Sequence, residues 1–421
     1  RRCKDHGSIP QLASGQLDTL AMRIQAQKIT PPRRVFYAAG PGDAIKAHAN
    51  WKAGAHDPSE VAVTFSGQIA QYCKDVGAAL YTVSYHKRKD MLVDGDDVIE
   101  HLPRVEPSGV RYAVANMSYG LQLLQRARRF GADAAILDSG CTYYFFQSLF
   151  AASGMRVVPV LHNALWPNGF RRRGVAARAI EFLDGFFWRH TPVASLCVSP
   201  LCARQVTEVA GPRARPLVQV RAQFDPSFFA AIPPPPPEEK PFRIMFIGRV
   251  VAAKGVFDIV DMASKIEAKA PGRVRWTLCG AGADFDAVKA KRDAAGLADI
   301  VAMPGWTSLE DLARVYADSH AAIVPTRSDF IEGLAMTAAE AALAGRPVVT
   351  NPVVPALEVL GPAAVACRTN DVDSYVEAIL SLIDDPQRYR RLAASCREVA
   401  APFLDRRMGL TEVLKDVLGG R

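Results

Sequence analysis

From residue 30 onward the chain alternates short, mostly apolar runs with longer stretches in which apolar positions recur every three or four residues. The runs fall at 34–39, 79–83, 134–137, 157–161 and 195–198, then at 242–247, 274–278, 300–303, 321–324 and 347–350. Runs this short that are apolar on both faces predict strands covered on both sides, and the helix-period stretches between them (256–268, 285–295, 309–317 and 334–344 among others) predict helices. Strand and helix in alternation give parallel sheets with helices on both faces. Five consecutive prolines, Pro233 to Pro237, interrupt the pattern once. They cannot enter a helix interior or a central strand and stiffen the backbone into an extended linker. The expected fold is therefore α/β, with two facing doubly wound Rossmann-like domains and a cleft between them. The expected domains are an N-terminal extension (1–30), a first domain (31–232), the linker (233–241), a second domain (242–400) and a C-terminal helix (401–421) packing back on the first domain. Ligands of such sheets bind outside the carboxyl ends of the strands, so the chemistry is sought in the loops that follow them.

Composition narrows this picture. A length of 421 residues suits two or three domains, and 49% hydrophobic residues exclude general disorder. The eight cysteines are scattered, without a C-x-x-C pair or a Cys/His cluster at zinc spacing, as expected for reduced thiols in a cytoplasmic protein. Arg1 to Ser8 lack the apolar core of a signal peptide, and no uncharged apolar run reaches transmembrane length. The net charge of +8 is uneven: residues 1–232 hold 28 basic against 18 acidic side chains, whereas the remainder holds 23 against 25. An excess on one half suits an anionic partner on that side. Nucleic acid is disfavoured, because no basic stripe interleaved with stacking aromatics runs along that half. Residues 170–190, with Arg171, Arg172, Arg173 and Arg178 beside Phe182, Phe186 and Trp188, suit peripheral contact with an anionic membrane at its inner face. The competing expectation is that their apolar stripe packs on the sheet.

Two loops of the second half carry candidate chemistry. After the first strand, Gly248 and Arg249 are followed by Lys254 and Gly255. A planar guanidinium fork and a compact ammonium five residues apart on a glycine-bounded loop can converge on one diphosphate. After the strand at 321–324 comes Asp329-Phe330-Ile331-Glu332-Gly333, and Gly333, Leu334 and Ala335 lead into a helix whose free amides would face an anion. Glu332 can accept hydrogen bonds from a sugar hydroxyl. Glu340 lies about 10 Å further along the helix, a reach suited to a ribose. Gly345 and Pro347 then stop the helix.

This combination, with Ala-Gly-Arg-Pro-Val-Val after it, resembles the donor domain of glycosyltransferase family 4, over about Phe242 to Asp385. Glu332 and Glu340 match the family's E-x7-E spacing. Gly280 and Gly282 look like its glycine loop, and the segment from Pro304 through Trp306 to Pro325 like its base-side segment. The resemblance implies a GT-B fold and a retaining transfer of a hexose-type sugar from a nucleoside-diphosphate sugar, the co-substrate, without a metal or other cofactor. It implies that Arg249 and Lys254 hold the diphosphate, that Glu332 contacts the donor sugar and Glu340 the ribose, and that a sugar, glycan or lipid-linked acceptor lies on the first domain. A nucleotide-sugar epimerase and a non-catalytic nucleotide-sugar-binding protein are the alternatives on the same fold. The usual Glu-Gly-Phe-Gly is here Glu332-Gly333-Leu334-Ala335, and Glu-Ala-Met is Glu340-Ala341-Ala342-Leu343, departures that bear on the donor's identity.

The first half offers fewer candidates. Gly40 and Gly42 follow its first strand, where related enzymes carry a glycine-rich loop. His162 ends another strand, where many relatives have a histidine that lines the sugar site, and Asp138 ends a third. Asp94-Gly95-Asp96-Asp97 lacks the remaining oxygen ligands of a calcium loop and reads as an acidic turn.

Overall fold

The computed structural model describes residues 29–420 apart from 56, 58, 59, 106, 172, 173 and 237–240. Arg172, Arg173, Pro237, Cys3 and the extension up to residue 28 thus lie outside the described residues. The first domain contains β1 (Arg34–Pro41), β2 (Ala62–Val63), β3 (Ala79–Tyr85), β4 (Asp90–Asp94), β5 (Asp97–Leu102), β6 (Ala134–Asp138), β7 (Arg156–Leu161), β8 (Ser195–Cys197), β9 (Leu217–Gln219) and β10 (Gln223–Phe224). Eight of these form one sheet in the order β4-β5-β3-β1-β6-β7-β8-β9, parallel except for β4, while β10 and β2 pair separately. The second domain adds β11 (Phe242–Ile247), β12 (Val274–Cys279), β13 (Val301–Gly305), β14 (Ala321–Val324), β15 (Val348–Thr350) and β16 (Ala364–Ala366), all parallel, in the order β13-β12-β11-β14-β15-β16.

Every apolar run becomes a strand, and the inner strands are covered by helices on both faces, whereas the edge strand β13 leaves Ala302 and Pro304 exposed. Val35, Ile136, Val158 and Leu196 are fully buried on one sheet, and Val274, Val301 and Val348 on the other. The β4–β5 hairpin has no such run. Met91 and Val93 of its edge strand are exposed, and Gly95 turns it with φ 65° inside the acidic stretch.

Both sheets reverse their winding in the middle. β1 lies between β3 and β6, and β11 between β12 and β14, so the carboxyl ends of β1 and β6, and of β11 and β14, flank the two crevices where the fold admits ligands.

After the second domain the chain returns to the first. The helix Leu410–Leu418 buries Leu410, Leu414, Val417 and Leu418 in the first domain's core. Its start is fixed by Gln68, whose Oε1 accepts from Leu410 N–H at 2.8 Å and whose carbonyl accepts from Thr411 Oγ1 at 2.8 Å. At the crossing, Phe224 and Phe403 meet edge to face at 6.1 Å.

The proline linker is strapped down. Arg346, fully buried just past the helix Met336–Leu343, donates to the carbonyls of Pro233 (2.8 Å), Ala317 (3.0 Å), Ser319 (3.2 Å) and Ala344. A flat five-donor guanidinium satisfies carbonyls of the linker and of two helix ends at once. Arg346→Leu strands those acceptors and should lower unfolding stability by about 3 kcal/mol, read from a denaturant melt.

The seven described cysteines are buried and unpaired. Among the described residues, no helix is long and apolar enough to cross a membrane.

Candidate functional site

The crevices of the two sheets face each other across a cavity of about 340 Å³, lined by Phe65, His162, Asn163 and Val198 on one side and by Gly248, Arg249, Lys254 and residues 332–337 on the other.

On the second domain, β11 ends at Ile247 and the chain turns through Gly248 and Arg249 into a single 3-10 turn, Ala252–Lys254. Asp284 Oδ2 accepts from Ala252 N–H at 2.7 Å and pins the turn. A Cβ on Gly255 (φ 75°) would overlap the Pro325 carbonyl, so only glycine lets the turn sit against the end of β14. This packing brings Lys254 Nζ onto Glu332 Oε1, which also accepts from Thr326 Oγ1 at 2.9 Å. Glu332 is only 6% exposed. The Phe330 ring lies under both cations, its centroid 4.4 Å from Lys254 Nζ and 5.5 Å from Arg249 Cζ. Arg249 is exposed, and among the described residues it forms no ion pair. The helix begins at Met336, two residues later than the sequence predicts, because Ala335 takes a left-handed conformation (φ 69°) where glycine is usual. Thr337 Oγ1 donates to Ile247 O at 2.9 Å, tying the helix start to the end of β11.

On the first domain, Asp138 and His162 close β6 and β7 side by side. Asp138 is 4% exposed, and its Oδ2 accepts from Tyr37 Oη at 2.7 Å and from Gly40 N–H at 3.2 Å. Its Oδ1 lies 2.8 Å from His162 Nε2, at ion-pair distance but off the hydrogen-bond axis. Burial, and then the neighbouring Asp138 carboxylate, push the Tyr37 hydroxyl well above its usual range, so it stays a proton donor to Asp138. The imidazole also meets the Phe65 ring edge at 4.4 Å. Aspartate and aromatic edge together fix the orientation of the ring at the cavity wall.

The two walls touch beside the cavity. Ala164 N–H donates to Glu332 O at 3.1 Å, and a Cβ on Gly333 would overlap the His162 carbonyl. Nearby, Asn168 Nδ2 donates to Pro352 O at 2.9 Å.

The structure thus gathers Gly248, Arg249, Lys254, Glu332, Gly333, Leu334, Ala335 and His162 around one cavity, with Asp138 directly behind His162. Other candidates fall elsewhere. A Cβ on Gly280 would overlap Gly248 O, and one on Gly282 would overlap Val250 O, so these glycines let one loop pack on another and do not line the cavity. Gly40 serves Asp138, and Gly42 N–H donates to Tyr85 O at 3.1 Å. Trp306 is 66% exposed beyond β13, outside the cavity wall. Glu340 also lies off the wall, accepting from Tyr316 Oη at 2.8 Å. Burial pushes its carboxyl up to about 7, with the Tyr316 hydrogen bond opposing the shift and Glu60 of the first domain adding to it.

Tyr37, Phe65, Thr326 and Phe330 are site residues that the sequence did not single out. Thr326 carried a usable signal, two residues past a strand end, whereas Tyr37 sits inside a strand where an aromatic reads as core. A larger cavity of about 620 Å³, lined by Trp51, Gln68, Gln223 and Leu404 among others, lies where the C-terminal segment meets the first domain, and none of the predicted site residues lines it.

Comparison with known proteins fits this geometry. Residues 229–399 match the family described as glycosyl transferases group 1. Glycogen synthase of Mycobacterium tuberculosis is 24% identical over 230 residues, 53% of each protein, so the chain spans about half the length of the curated relatives it matches. Among solved structures, sucrose-phosphate synthase of Thermosynechococcus elongatus superposes with a TM-score of 0.65 at 14% identity, over 89% of this chain and 95% of the other. Anabaena HepE in complex with UDP and glucose gives 0.60 at 16%, over 89% and 96%. The second domain therefore carries a glycosyl transferases group 1 match over residues 229–399, and the chain as a whole has the GT-B fold of two facing Rossmann-like domains.

Proposed function

We propose that the protein is a retaining, metal-independent glycosyltransferase. It works in the cytoplasm, moving a hexose-type sugar from a nucleoside-diphosphate sugar to a sugar, glycan or lipid-linked acceptor in polysaccharide or envelope synthesis. The observation that carries this reading is the convergence of Arg249, Lys254 and the buried Glu332 on one cavity wall, opposite His162. Two cations over one aromatic ring suit a diphosphate, and a carboxylate held by Lys254 and Thr326 suits a sugar hydroxyl beside it.

In the transfer, the bond from the sugar C1 to the phosphate oxygen breaks and a bond from C1 to the acceptor oxygen forms on the same face. The acceptor's proton passes to the departing phosphate oxygen. Charge grows on that oxygen, and Arg249 and Lys254 are placed to stabilise it. Glu332 positions the donor sugar, and His162 lines the sugar side with its ring set by Asp138. Leu334 and Ala335 tune which donor is accepted. The solved neighbour that holds UDP and glucose supports the donor class.

Calorimetric titration with UDP, GDP, TDP and ADP tests the site. One of them should bind, and Arg249→Ala should weaken it at least about tenfold, roughly 1.4 kcal/mol. Equal affinity in the variant contradicts the assignment.

Glu340 adds a pH signature. Its folded pKa of about 7 exceeds the ordinary 4.5, so between these values the unfolded chain releases a proton that the folded one keeps. Its contribution to stability therefore falls as pH rises through that window. Glu340→Gln should flatten the decline of melting temperature from pH 4.5 to 7. Asp184, pushed up to about 7 by burial, adds a slope of the same sign, and His101, lowered by burial, adds one of the opposite sign.

A further inference from the structure

The helix Val175–His190 is apolar on two opposite faces. One face enters the core: Phe187 and Trp188 are 0% and 1% exposed, with Trp188 against the Tyr144 ring at 4.6 Å. The other face does not. Val175, Phe182 and Phe186 are 86%, 73% and 57% exposed, and Leu183 stands beside them. Their spacing of seven and four residues places them on one stripe, and Phe170, ahead of the helix, is exposed as well. The stripe that the sequence expects to pack on the sheet is thus two stripes, and among the described residues nothing covers the exposed one. Exposed apolar surface of this extent marks an interaction site.

The charge around it identifies the partner. Residues 104–215 hold fourteen arginines, no lysine and six acidic residues, an excess of +8 equal to that of the whole chain. Arg171 is occupied within the protein, paired with Glu181 at 2.7 Å and stacked on Trp166 at 4.2 Å. Arg178, on the exposed stripe, and Arg128 and Arg129, on the neighbouring helix Val110–Phe130, are exposed, and among the described residues they form no ion pair. That helix adds exposed Val114 and Leu121, and both helices contact the turn Phe145–Gln147.

We propose that this helical face of the first domain docks on an anionic phospholipid bilayer, with Phe182 and Phe186 entering the headgroup layer and the unpaired arginines meeting lipid phosphates. Aromatic side chains on one face of a helix flanked by arginine are the composition that lies in a membrane interface. Along the chain this helix follows the cavity residues His162 and Asn163.

The test is co-sedimentation of the full chain with vesicles of phosphatidylcholine mixed with phosphatidylglycerol, against phosphatidylcholine alone. The wild type should pellet with the mixed vesicles only, and added salt should release it. Phe182→Ser combined with Phe186→Ser should keep its melting temperature yet bind at least about tenfold more weakly, and Arg178→Glu should bind more weakly with less salt dependence. Unchanged pelleting of the double variant, or no pelleting of the wild type, overturns the proposal. So does a concentration-dependent dimer in sedimentation velocity that the double substitution abolishes, because the face then belongs to a second copy of the chain.

Discussion

Glu332→Gln is expected to lower glycosyl transfer at least about tenfold, a barrier increase of roughly 1.4 kcal/mol, and Lys254→Ala at least as much. The amide keeps the shape of the carboxylate and can still accept from Thr326, but it removes the charge that holds Lys254 in place. Lys254→Ala removes the ammonium assigned to the leaving phosphate and also leaves Glu332 buried without its counter-charge. Breaking one partner of a buried pair costs about 3–5 kcal/mol, so this variant should also melt earlier. The double variant Lys254→Ala/Glu332→Gln separates the two effects. It should recover much of the stability, since no uncompensated charge remains, and none of the activity. Full activity in both single variants would remove the site assignment.

The second large effect is expected at Gly333. Its missing side chain lets the second domain reach the backbone of His162 and Asn163, and Ala164 N–H bonds the Glu332 carbonyl beside it. Gly333→Ala drives a methyl group into the His162 carbonyl, so the walls must separate locally and Glu332 leaves its place opposite His162. Catalytic positioning tolerates little displacement, and kcat/KM should fall by about a hundredfold. The overlap is between domains rather than within either core, so the melting temperature should change far less than activity. Steady-state kinetics and a thermal melt of the same preparation check both. Normal kinetics would mean that this contact does not belong to the active arrangement.

How much of this was legible in the sequence follows from where each interaction lies along the chain. The strands were readable because parallel strands covered on both faces are written as unbroken apolar runs, as at 134–137 and 321–324. The β4–β5 hairpin was not, since an exposed edge strand interrupted by aspartates carries no such run. Arg249, Lys254 and Glu332 stood out because they sit on glycine-bounded loops just after strands, where the fold admits ligands. The contacts from Tyr37 through Asp138 to His162 join residues separated by 101 and 24 positions, and only the sheet order places β1, β6 and β7 next to one another. The Gly333 contact depends on how two domains meet, which no local pattern encodes. Arg346 read as part of a helix-ending motif, and its role as the strap of the proline linker appears only when the carbonyls around it are counted.

The central claim is that the cavity between the two domains holds a nucleoside-diphosphate sugar and transfers its sugar. Incubation of the protein with UDP-, GDP-, TDP- and ADP-sugars and a mixture of glycan and lipid-linked acceptors, with released nucleotide as the readout, tests it most directly. Release of nucleoside diphosphate from one donor, dependent on acceptor and lost in Lys254→Ala, is the predicted result. Isomerisation of the sugar without release, or nucleotide binding with no turnover of any donor, would contradict it.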